Sequence, residues 1–187
     1  MSSLKTNYDS IAILDFGSQY SHLIVRRIRE LNVYCELHSC LVEGAVLEGM
    51  PRLKGVIFSG GPFSVYEEGA PHVQASVWEF LRRAKLPVLG VCYGLQEITH
   101  ALGGSVERAD KREFGHATVS KVAAVALDAS ASAAADILEG LPDEFTVWMS
   151  HGDKLVSLAP GFKTIATSSN CEHVVVAGRV GASLWCV

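Results

Sequence analysis

The sequence predicts an α/β fold, an open and mostly parallel sheet with flanking helices. Short apolar runs alternate with stretches of helical periodicity through the first half of the chain, which is typical of parallel strands joined by crossover helices. Most of these runs end in turns rich in Gly, Ser or Pro. The 187 residues, 49% of them hydrophobic, are enough for one sizeable core.

The first strand and helix are the most clearly patterned. Residues 10–14 predict a buried strand, residues 15–18 a turn, and residues 19–31 a helix. The apolar residues expected on one face of that helix are Tyr20, Leu23, Ile24, Ile28 and Leu31.

Further strands and helices complete the first half. Strands are predicted over residues 33–37, 55–58 and 86–91. Helices are expected over residues 77–83 and 95–102, because Leu95, Ile98 and Leu102 have core spacing in the second.

The second half is richer in strand patterns. Strands are predicted over residues 117–127, 145–149, 163–167, 174–177 and 183–187. Residues 129–135 are of low complexity and are expected to form a surface insertion. We expect a polar tail over residues 1–9 and one domain over residues 10–187.

Charge and composition narrow the function classes. With 16 basic and 20 acidic side chains, the chain offers no basic surface for a phosphate backbone or an anionic membrane. No apolar run approaches the ~18 residues of a membrane helix, and the five cysteines show no CxxC spacing. We expect a cytoplasmic protein with no nucleic-acid partner, no membrane association and no metal.

The strongest local signal is the segment GVCYGLQ, residues 90–96. It places Cys92 between a buried strand and an amphipathic helix, with glycines on both sides, as in a nucleophile elbow. The helix N-terminus is expected to lower the pKa of the thiol. Cys92 is therefore a candidate nucleophile, although this heptad alone is equally compatible with a cysteine that only packs in the core.

A second glycine turn, SGGP at residues 59–62, follows the third predicted strand. It should lie at the same edge of the sheet as Cys92, where its backbone N–H groups could bind a developing oxyanion. By itself the segment is also compatible with an ordinary βα turn.

Four segments occur in a fixed order: DFGSQY at residues 15–20, SGGP at 59–62, GVCYGLQ at 90–96 and WMSHGD at 148–153. Together they resemble the class I glutamine amidotransferase domain of GMP synthases, over roughly residues 11–167. The first and last segments favour this family over relatives that serve anthranilate, carbamoyl phosphate or CTP synthesis. The resemblance implies a flavodoxin-like fold.

The resemblance also implies a chemistry. A cysteine thiolate attacks the side-chain amide of glutamine, ammonia leaves, and water releases glutamate from a γ-glutamyl thioester. Cys92 would be the nucleophile, and the backbone N–H groups of Gly61 and Tyr93 would hold the oxyanion. Substrate positioning would fall to Gln96 and to a turn formed by Ser150, His151, Gly152 and Asp153.

A partner is implied as well. The ammonia would pass to an ATP-pyrophosphatase domain that uses ATP and Mg to aminate XMP to GMP, and this sequence contains no such domain. No cofactor is expected in the amidotransferase domain itself.

The sequence departs from the family pattern after residue 178. The family continues with a strand of the type Tyr-Gly-x-Gln-Phe-His-Pro-Glu, which supplies the general base and the glutamate that orients it, and nothing here matches it. We therefore expect a C-terminally incomplete domain, with a displaced reading frame as one hypothesis, and a chain that is inactive alone. No histidine of this sequence has a context that assigns it the role of the base.

Two other interpretations stay open. A non-catalytic protein that binds glutamine or a partner would keep the fold without the catalytic triad. A peptidase-type cysteine hydrolase would also carry an elbow on an α/β fold, but the DFGSQ segment weighs against it.

Overall fold

The computed structural model describes residues 7–122, 137–178 and 184–186. In these ranges the helices are α1 (Ser21–Glu30), α2 (Gly44–Glu48), α3 (Ala75–Ala84) and α4 (Tyr93–Ala101). The strands are β1 (Ser10–Asp15), β2 (Tyr34–Ser39), β3 (Leu53–Phe58), β4 (Val88–Gly90), β5 (Ser105–Lys121), β6 (Glu144–Ser157), β7 (Lys163–Ser168), β8 (Val175–Gly178) and β9 (Leu184–Cys186).

These strands form one sheet in the order β2-β1-β3-β4-β9-β8-β7-β5-β6. From β2 to β9 the neighbours pair in parallel, and from β9 to β6 they pair antiparallel. The predicted α/β fold with a parallel sheet and flanking helices is confirmed. The strand-rich second half forms the antiparallel portion.

The parallel portion is buried on both faces, as its apolar runs predict. Successive residues of β1 enter different clusters: Ile13 packs with Val25 of α1, whereas Leu14 packs in the main core with Phe58 and Val77. The main core also receives side chains from α2 and α4. This packing fixes the carboxyl ends of β1, β3 and β4 relative to one another, and the site is built at those ends.

Helix α1 buries only part of the face predicted for it, since Ile24 and Ile28 pack against the core cluster that contains Val25. Tyr20, Leu23 and Leu31 are exposed, whereas Ser21 and Val25 are buried. The helix proper begins at Ser21, so Tyr20 and Leu31 are its caps. Ion pairs of Glu30 with Arg26 and Arg27 lie on its solvent side.

Other boundaries also differ from the predictions. The short helix α2 was not predicted, and α4 begins two residues earlier than expected. Strand β5 begins at Ser105 rather than at residue 117, since it pairs with β6 along nearly its whole length. The predicted insertion at residues 129–135 lies outside the described residues, as does part of the predicted strand at 183–187. None of the helices in the described ranges combines the length and apolarity that crossing a membrane requires.

Candidate active site

The site is organised around the turn between β4 and α4. Cys92 occupies it with φ 51° and ψ −107°, a conformation that non-glycine residues rarely adopt. Such backbone strain costs on the order of 1–3 kcal/mol and persists only where the surroundings enforce it. The turn raises the cysteine side chain above the edge of the sheet, as expected of a nucleophile elbow.

Two glycines make this turn possible because the chain packs too closely for a side chain. A Cβ at Gly90 would lie 2.6 Å from Cδ1 of Ile98 and 2.8 Å from the backbone of Gly94. A Cβ at Gly94 would overlap the carbonyl oxygen of Phe58. The glycines of the GVCYGLQ segment therefore let α4 pack directly on the end of β3.

The second glycine turn lies against Cys92, as its position after β3 predicts. A Cβ at Gly60 would be 3.6 Å from the Cys92 Cβ. A Cβ at Gly61 would be 2.8 Å from the carbonyl oxygen of Phe16 and 3.3 Å from Cγ of Tyr93. At Gly61, therefore, only a residue without a side chain fits between the elbow and the first turn.

Ser59 joins the ends of β1 and β3. Its buried hydroxyl accepts a hydrogen bond from the Phe16 N–H (3.2 Å) and donates one to the Gly60 carbonyl (2.9 Å). Its own N–H donates to the Leu14 carbonyl (2.9 Å). These bonds hold the SGGP turn beside the DFGSQY turn.

The DFGSQY turn is organised by Asp15. Its Oδ1 accepts hydrogen bonds from the N–H groups of Gly17 and Ser18 and from the Ser21 hydroxyl, at 2.9, 3.2 and 2.6 Å. Gly17 has φ +90° and faces the ring of Pro62. The turns that follow β1, β3 and β4 thus meet at one edge of the sheet.

The thiol environment differs from the sequence expectation. Burial raises the pKa of Cys92 above its ordinary value, a hydrogen bond from the Tyr93 backbone N–H lowers it, and the Asp153 carboxylate raises it again. The net direction of the pKa is upward, because burial outweighs the lowering contribution from the N–H at the start of α4. The thiol loses more hydration than the first turn of α4 replaces.

Residues 150–153 lie inside strand β6, where a turn had been predicted. They pair with β5, and the ladder is irregular between Arg108 and Glu113 of that strand, opposite residues 151–153. Gly and Asp favour turns locally, but the long ladder supplies backbone partners, and the extra residues of β5 absorb the irregularity as a bulge. The prediction of a turn is therefore wrong.

Asp153 of β6 is bonded to the loop that begins with the SGGP turn. Its Oδ2 accepts a hydrogen bond from the Ser64 hydroxyl (2.6 Å), and its Oδ1 accepts one from the Tyr66 hydroxyl (2.9 Å). Sequence reasoning missed Ser64 and Tyr66. Their only signal was a pair of hydroxyl side chains, two residues apart, shortly after a suspected oxyanion turn.

A cavity of about 1460 Å³ brings the predicted site residues together. Those that line it are Gly61, Cys92, Gln96, Ser150, His151, Gly152 and Asp153. The side chain of Tyr93 is buried behind the elbow, and its backbone N–H bonds to the cysteine. Gln96 is 7% exposed, and its Oε1 accepts a hydrogen bond from the Val65 N–H (3.4 Å).

Two histidines share this cavity with Cys92. Nδ1 of His151 lies 2.9 Å from the Asp153 carbonyl oxygen, and Nδ1 of His173 lies 2.6 Å from Oγ1 of Thr164. No histidine of the described residues hydrogen-bonds to the Cys92 sulfur. The described ranges also contain no cluster of His, Cys, Asp and Glu that could hold a metal ion.

The fold and the strained cysteine elbow define a class of protein. Residues 12–180 match the family Glutamine amidotransferase class-I, and the chain belongs to this family.

Similar proteins narrow the relationship further. The chain is 45% identical over 183 residues to the GMP synthase [glutamine-hydrolyzing] of Yarrowia lipolytica, covering 98% of this chain and 32% of that protein. It is 50% identical over 166 residues to the Saccharomyces cerevisiae protein of the same name, covering 89% of this chain and 29% of that one. The chain thus spans about a third of the length of the curated relatives it matches.

Solved structures agree with the fold. A Thermoplasma acidophilum protein proposed to be a subunit of GMP synthase superposes with a TM-score of 0.78 at 28% identity, covering 97% of this chain and 83% of that one. A glutamine amidotransferase from Thermotoga maritima superposes with a TM-score of 0.67, covering 97% and 75% of the two chains. At 20% identity, the second similarity shows the fold alone.

Proposed function

We propose that this chain is the glutaminase module of a GMP synthase and that Cys92 is its nucleophile. One observation carries the proposal: a cysteine with a strained backbone stands at the N-terminus of α4, against the Gly60–Gly61 turn and in a large cavity. Buried cysteines that only pack in a core do not need this conformation. The relatives named GMP synthase [glutamine-hydrolyzing] support the choice of glutamine as substrate.

In the proposed reaction, the Cys92 thiolate attacks the carbon of the glutamine side-chain amide. The negative charge that develops on the amide oxygen is stabilised by the backbone N–H groups of Gly61 and Tyr93. Two features support these donors: the Tyr93 N–H already bonds to the cysteine, and Gly61 packs against the Tyr93 ring. The nitrogen of the tetrahedral intermediate takes up a proton from water and leaves as ammonia, and a second water hydrolyses the thioester to glutamate and the free thiol.

Substrate positioning is proposed for Gln96 and for residues 150–153. All of them line the cavity that contains Cys92, and β6 holds the latter group in a paired strand rather than a mobile loop. Pairing on a strand favours precise placement of a substrate, because the backbone cannot drift without breaking the ladder.

The proposed destination of the ammonia is a synthetase domain of the ATP-pyrophosphatase type, which would aminate XMP to GMP with ATP and Mg. The chain matches about a third of the length of the GMP synthases named above, which supports a partner domain, whether on the same polypeptide or on a separate one. No cofactor is proposed for the amidotransferase domain itself. We place the reaction in the cytoplasm, because a reducing compartment preserves a cysteine nucleophile.

A second candidate is a non-catalytic glutamine-binding protein with the same fold. The observation that favours it is the absence of any hydrogen bond between a histidine and the Cys92 sulfur in the described residues. The mass of the native polypeptide separates the two candidates. A chain much longer than this one supports the enzyme, and a stable protein of this length supports the binder.

The direct test is labelling with a chloroketone analogue of glutamine, followed by peptide mapping. We expect label on Cys92 in preference to Cys35, Cys40, Cys171 and Cys186, with protection by glutamine. Label spread evenly over all the cysteines, or insensitive to glutamine, would contradict the proposed function.

A further inference from the structure

A buried carboxylate stands one helical turn beyond the elbow and takes no part in the chemistry proposed above. Glu97 of α4 is 1% exposed. An ionised carboxylate in such a position is costly unless its oxygens are hydrogen-bonded. Its partners therefore indicate what the structure gains from keeping it there.

Both oxygens of Glu97 bond to the same short segment. Oε1 accepts a hydrogen bond from the backbone N–H of Val73 (2.8 Å), and Oε2 lies 2.8 Å from Nδ1 of His72. Towards an ionised carboxylate, His72 is the donor. Its ring is about half exposed and stacks on His100 of α4, with centroids 5.4 Å apart.

Residues 72 and 73 end the irregular loop that begins with the SGGP turn; we call residues 59–74 the oxyanion loop. Other contacts join this loop to the same helix. Gly61 packs on the Tyr93 ring, the Val65 N–H donates to Gln96, and the Tyr93 hydroxyl donates to the Pro71 carbonyl (2.8 Å). The oxyanion loop therefore follows the first two turns of α4 along its length.

We propose that Glu97 is a positioning residue that fixes the oxyanion loop on α4, so that the N–H of Gly61 faces the same point as the N–H of Tyr93. This rests on the proposed function, because it concerns the placement of the two proposed oxyanion donors. The geometry favours Glu97 for two reasons. Of the contacts just described between α4 and this loop, those of Glu97 are the charge-assisted ones, and they hold two adjacent residues of the loop at once.

Placing both donors on one rigid frame has a chemical purpose. An oxyanion site stabilises charge only if its donors are preorganised, and an error of about 1 Å costs roughly 100-fold in rate. Tyr93 is part of α4, whereas Gly61 belongs to a loop with no regular structure. Glu97 makes the position of that loop depend on the helix that carries the nucleophile.

The matched variants are Glu97→Ala, Glu97→Gln and Val25→Ala. Glutamine at residue 97 keeps an acceptor for the Val73 N–H and offers an amide donor to the neutral His72 ring, so it should restore the placement. Val25 is buried between α1 and the opposite face of β1. Its truncation destabilises the core without touching the oxyanion loop and serves as the purely structural control.

The first measurement is the rate at which the chloroketone analogue labels Cys92 as a function of its concentration. This gives a half-saturating concentration, which reports binding, and a maximal labelling rate. We expect Glu97→Ala to lower the maximal rate at least tenfold, with Glu97→Gln and Val25→Ala within threefold of wild type. Alkylation of Cys92 by iodoacetamide, which needs no oxyanion site, should change less than threefold in all three variants. Unchanged chloroketone labelling in Glu97→Ala would overturn the inference.

The second measurement does not depend on labelling. Amide hydrogen exchange in residues 59–67 should accelerate at least tenfold in Glu97→Ala and stay near wild type in Glu97→Gln and Val25→Ala. Exchange in that segment unaffected by Glu97→Ala would overturn the positioning role, whatever the labelling shows. Failure of wild-type Cys92 to be labelled selectively would instead refute the proposed function, and the exchange result would still decide the role of Glu97.

Discussion

Cys92 combines two features that act in opposite directions on its chemistry. The elbow presents the sulfur to the cavity, but burial and the Asp153 carboxylate keep the thiol protonated more strongly than an ordinary cysteine. A protonated thiol is a weak nucleophile, because the thiolate is the species that reacts. In the resting site the sulfur is therefore placed for attack, but it is still held as the less reactive thiol.

This imbalance predicts a pH profile. Because the folded pKa is raised, the thiolate fraction at Cys92 should grow only as pH rises above the ordinary cysteine value of about 8.5. Iodoacetamide alkylation of Cys92, followed by mass spectrometry from pH 6 to 11, should show a midpoint above that value. Asp153→Asn should move the midpoint down. A wild-type midpoint below about 8 would show that the helix N-terminus dominates after all.

The elbow glycines predict a stability effect. In Gly94→Ala the new methyl group would overlap the Phe58 carbonyl. Alanine has a better helix propensity than glycine, which stabilises the helix by about 1 kcal/mol. Overpacking a core typically destabilises the fold by about 1–3 kcal/mol, and by more when the clash is with a backbone atom. Urea unfolding should therefore show a net loss of roughly 1–2 kcal/mol.

Gly49→Ala is the control for that experiment. Gly49 has helical dihedral angles, and a Cβ there would make ordinary contacts at 3.5 Å. Its substitution should change the free energy of unfolding by less than about 1 kcal/mol. Equal effects of the two substitutions would mean that α4 can shift away from β3 without penalty.

At the scale of elements, β6 and the oxyanion loop are joined by Ser64, Tyr66 and Asp153. The double variant Ser64→Ala/Tyr66→Phe removes both hydroxyl donors and lets the loop and the strand move independently. Each hydrogen bond to a charged group contributes about 1.5–3 kcal/mol when buried and less when exposed. We expect the chloroketone analogue to bind Cys92 roughly tenfold more weakly, measured as a higher half-saturating concentration.

A like-for-like control lies on β2. The Tyr34 hydroxyl donates to Oε1 of Glu36 at 2.7 Å, the same type of bond away from the cavity. Tyr34→Phe should leave analogue binding at the wild-type level. If Tyr34→Phe also weakened binding of the analogue, the loss in the double variant would be due to general destabilisation rather than to release of the oxyanion loop.

The sequence was most informative where a signal is local. The βα units and the glycine turns were predicted because strand periodicity and turn chemistry act over a few residues. The buried face of α1 was predicted only in part: Ile24 and Ile28 pack on the core as expected, whereas the apolar residues Tyr20, Leu23 and Leu31 are exposed. Residues 150–153 were misassigned because pairing with β5 outweighs their local preference for a turn.

At the scale of the whole molecule, the proposed catalytic apparatus consists of a nucleophile and two oxyanion donors. The purified 187-residue chain should release glutamate from glutamine with negligible turnover, because no histidine in it stands in the sequence context of the family's general base. Loss of the base alone costs on the order of a million-fold in a serine protease. A cysteine is the stronger nucleophile, but protonation of the departing amine would still lack a donor.

The assay is glutamate release, with Cys92→Ala as the control. Turnover near roughly one per second that disappears in Cys92→Ala would contradict the prediction. It would assign the base to one of the two histidines that share the cavity, His151 or His173, and single alanine variants would separate them.

The site as a whole was predictable only in part. Cys92, Gly61 and residues 150–153 stand in segments with recognisable patterns, and the fold brings them into one cavity. Ser64, Tyr66 and Glu97 carry no such pattern. Their roles depend on partners 24 to 89 residues away in the chain, and only the folded structure shows which ones they meet.

The position of β9 has a consequence for the order of folding. This strand comes last among the described elements, yet it lies between β4 and β8 and joins the parallel and antiparallel portions of the sheet. During synthesis from the N-terminus, the strands of each portion can pair with one another before β9 leaves the ribosome. The two portions cannot form one continuous sheet until β9 pairs with both β4 and β8. Closing so long a stretch of chain is slow, because its entropy is lost before the contacts form. The nascent polypeptide therefore exposes two open strand edges, at β4 and β8, until β9 has been synthesised, and these edges are where a ribosome-associated chaperone would act.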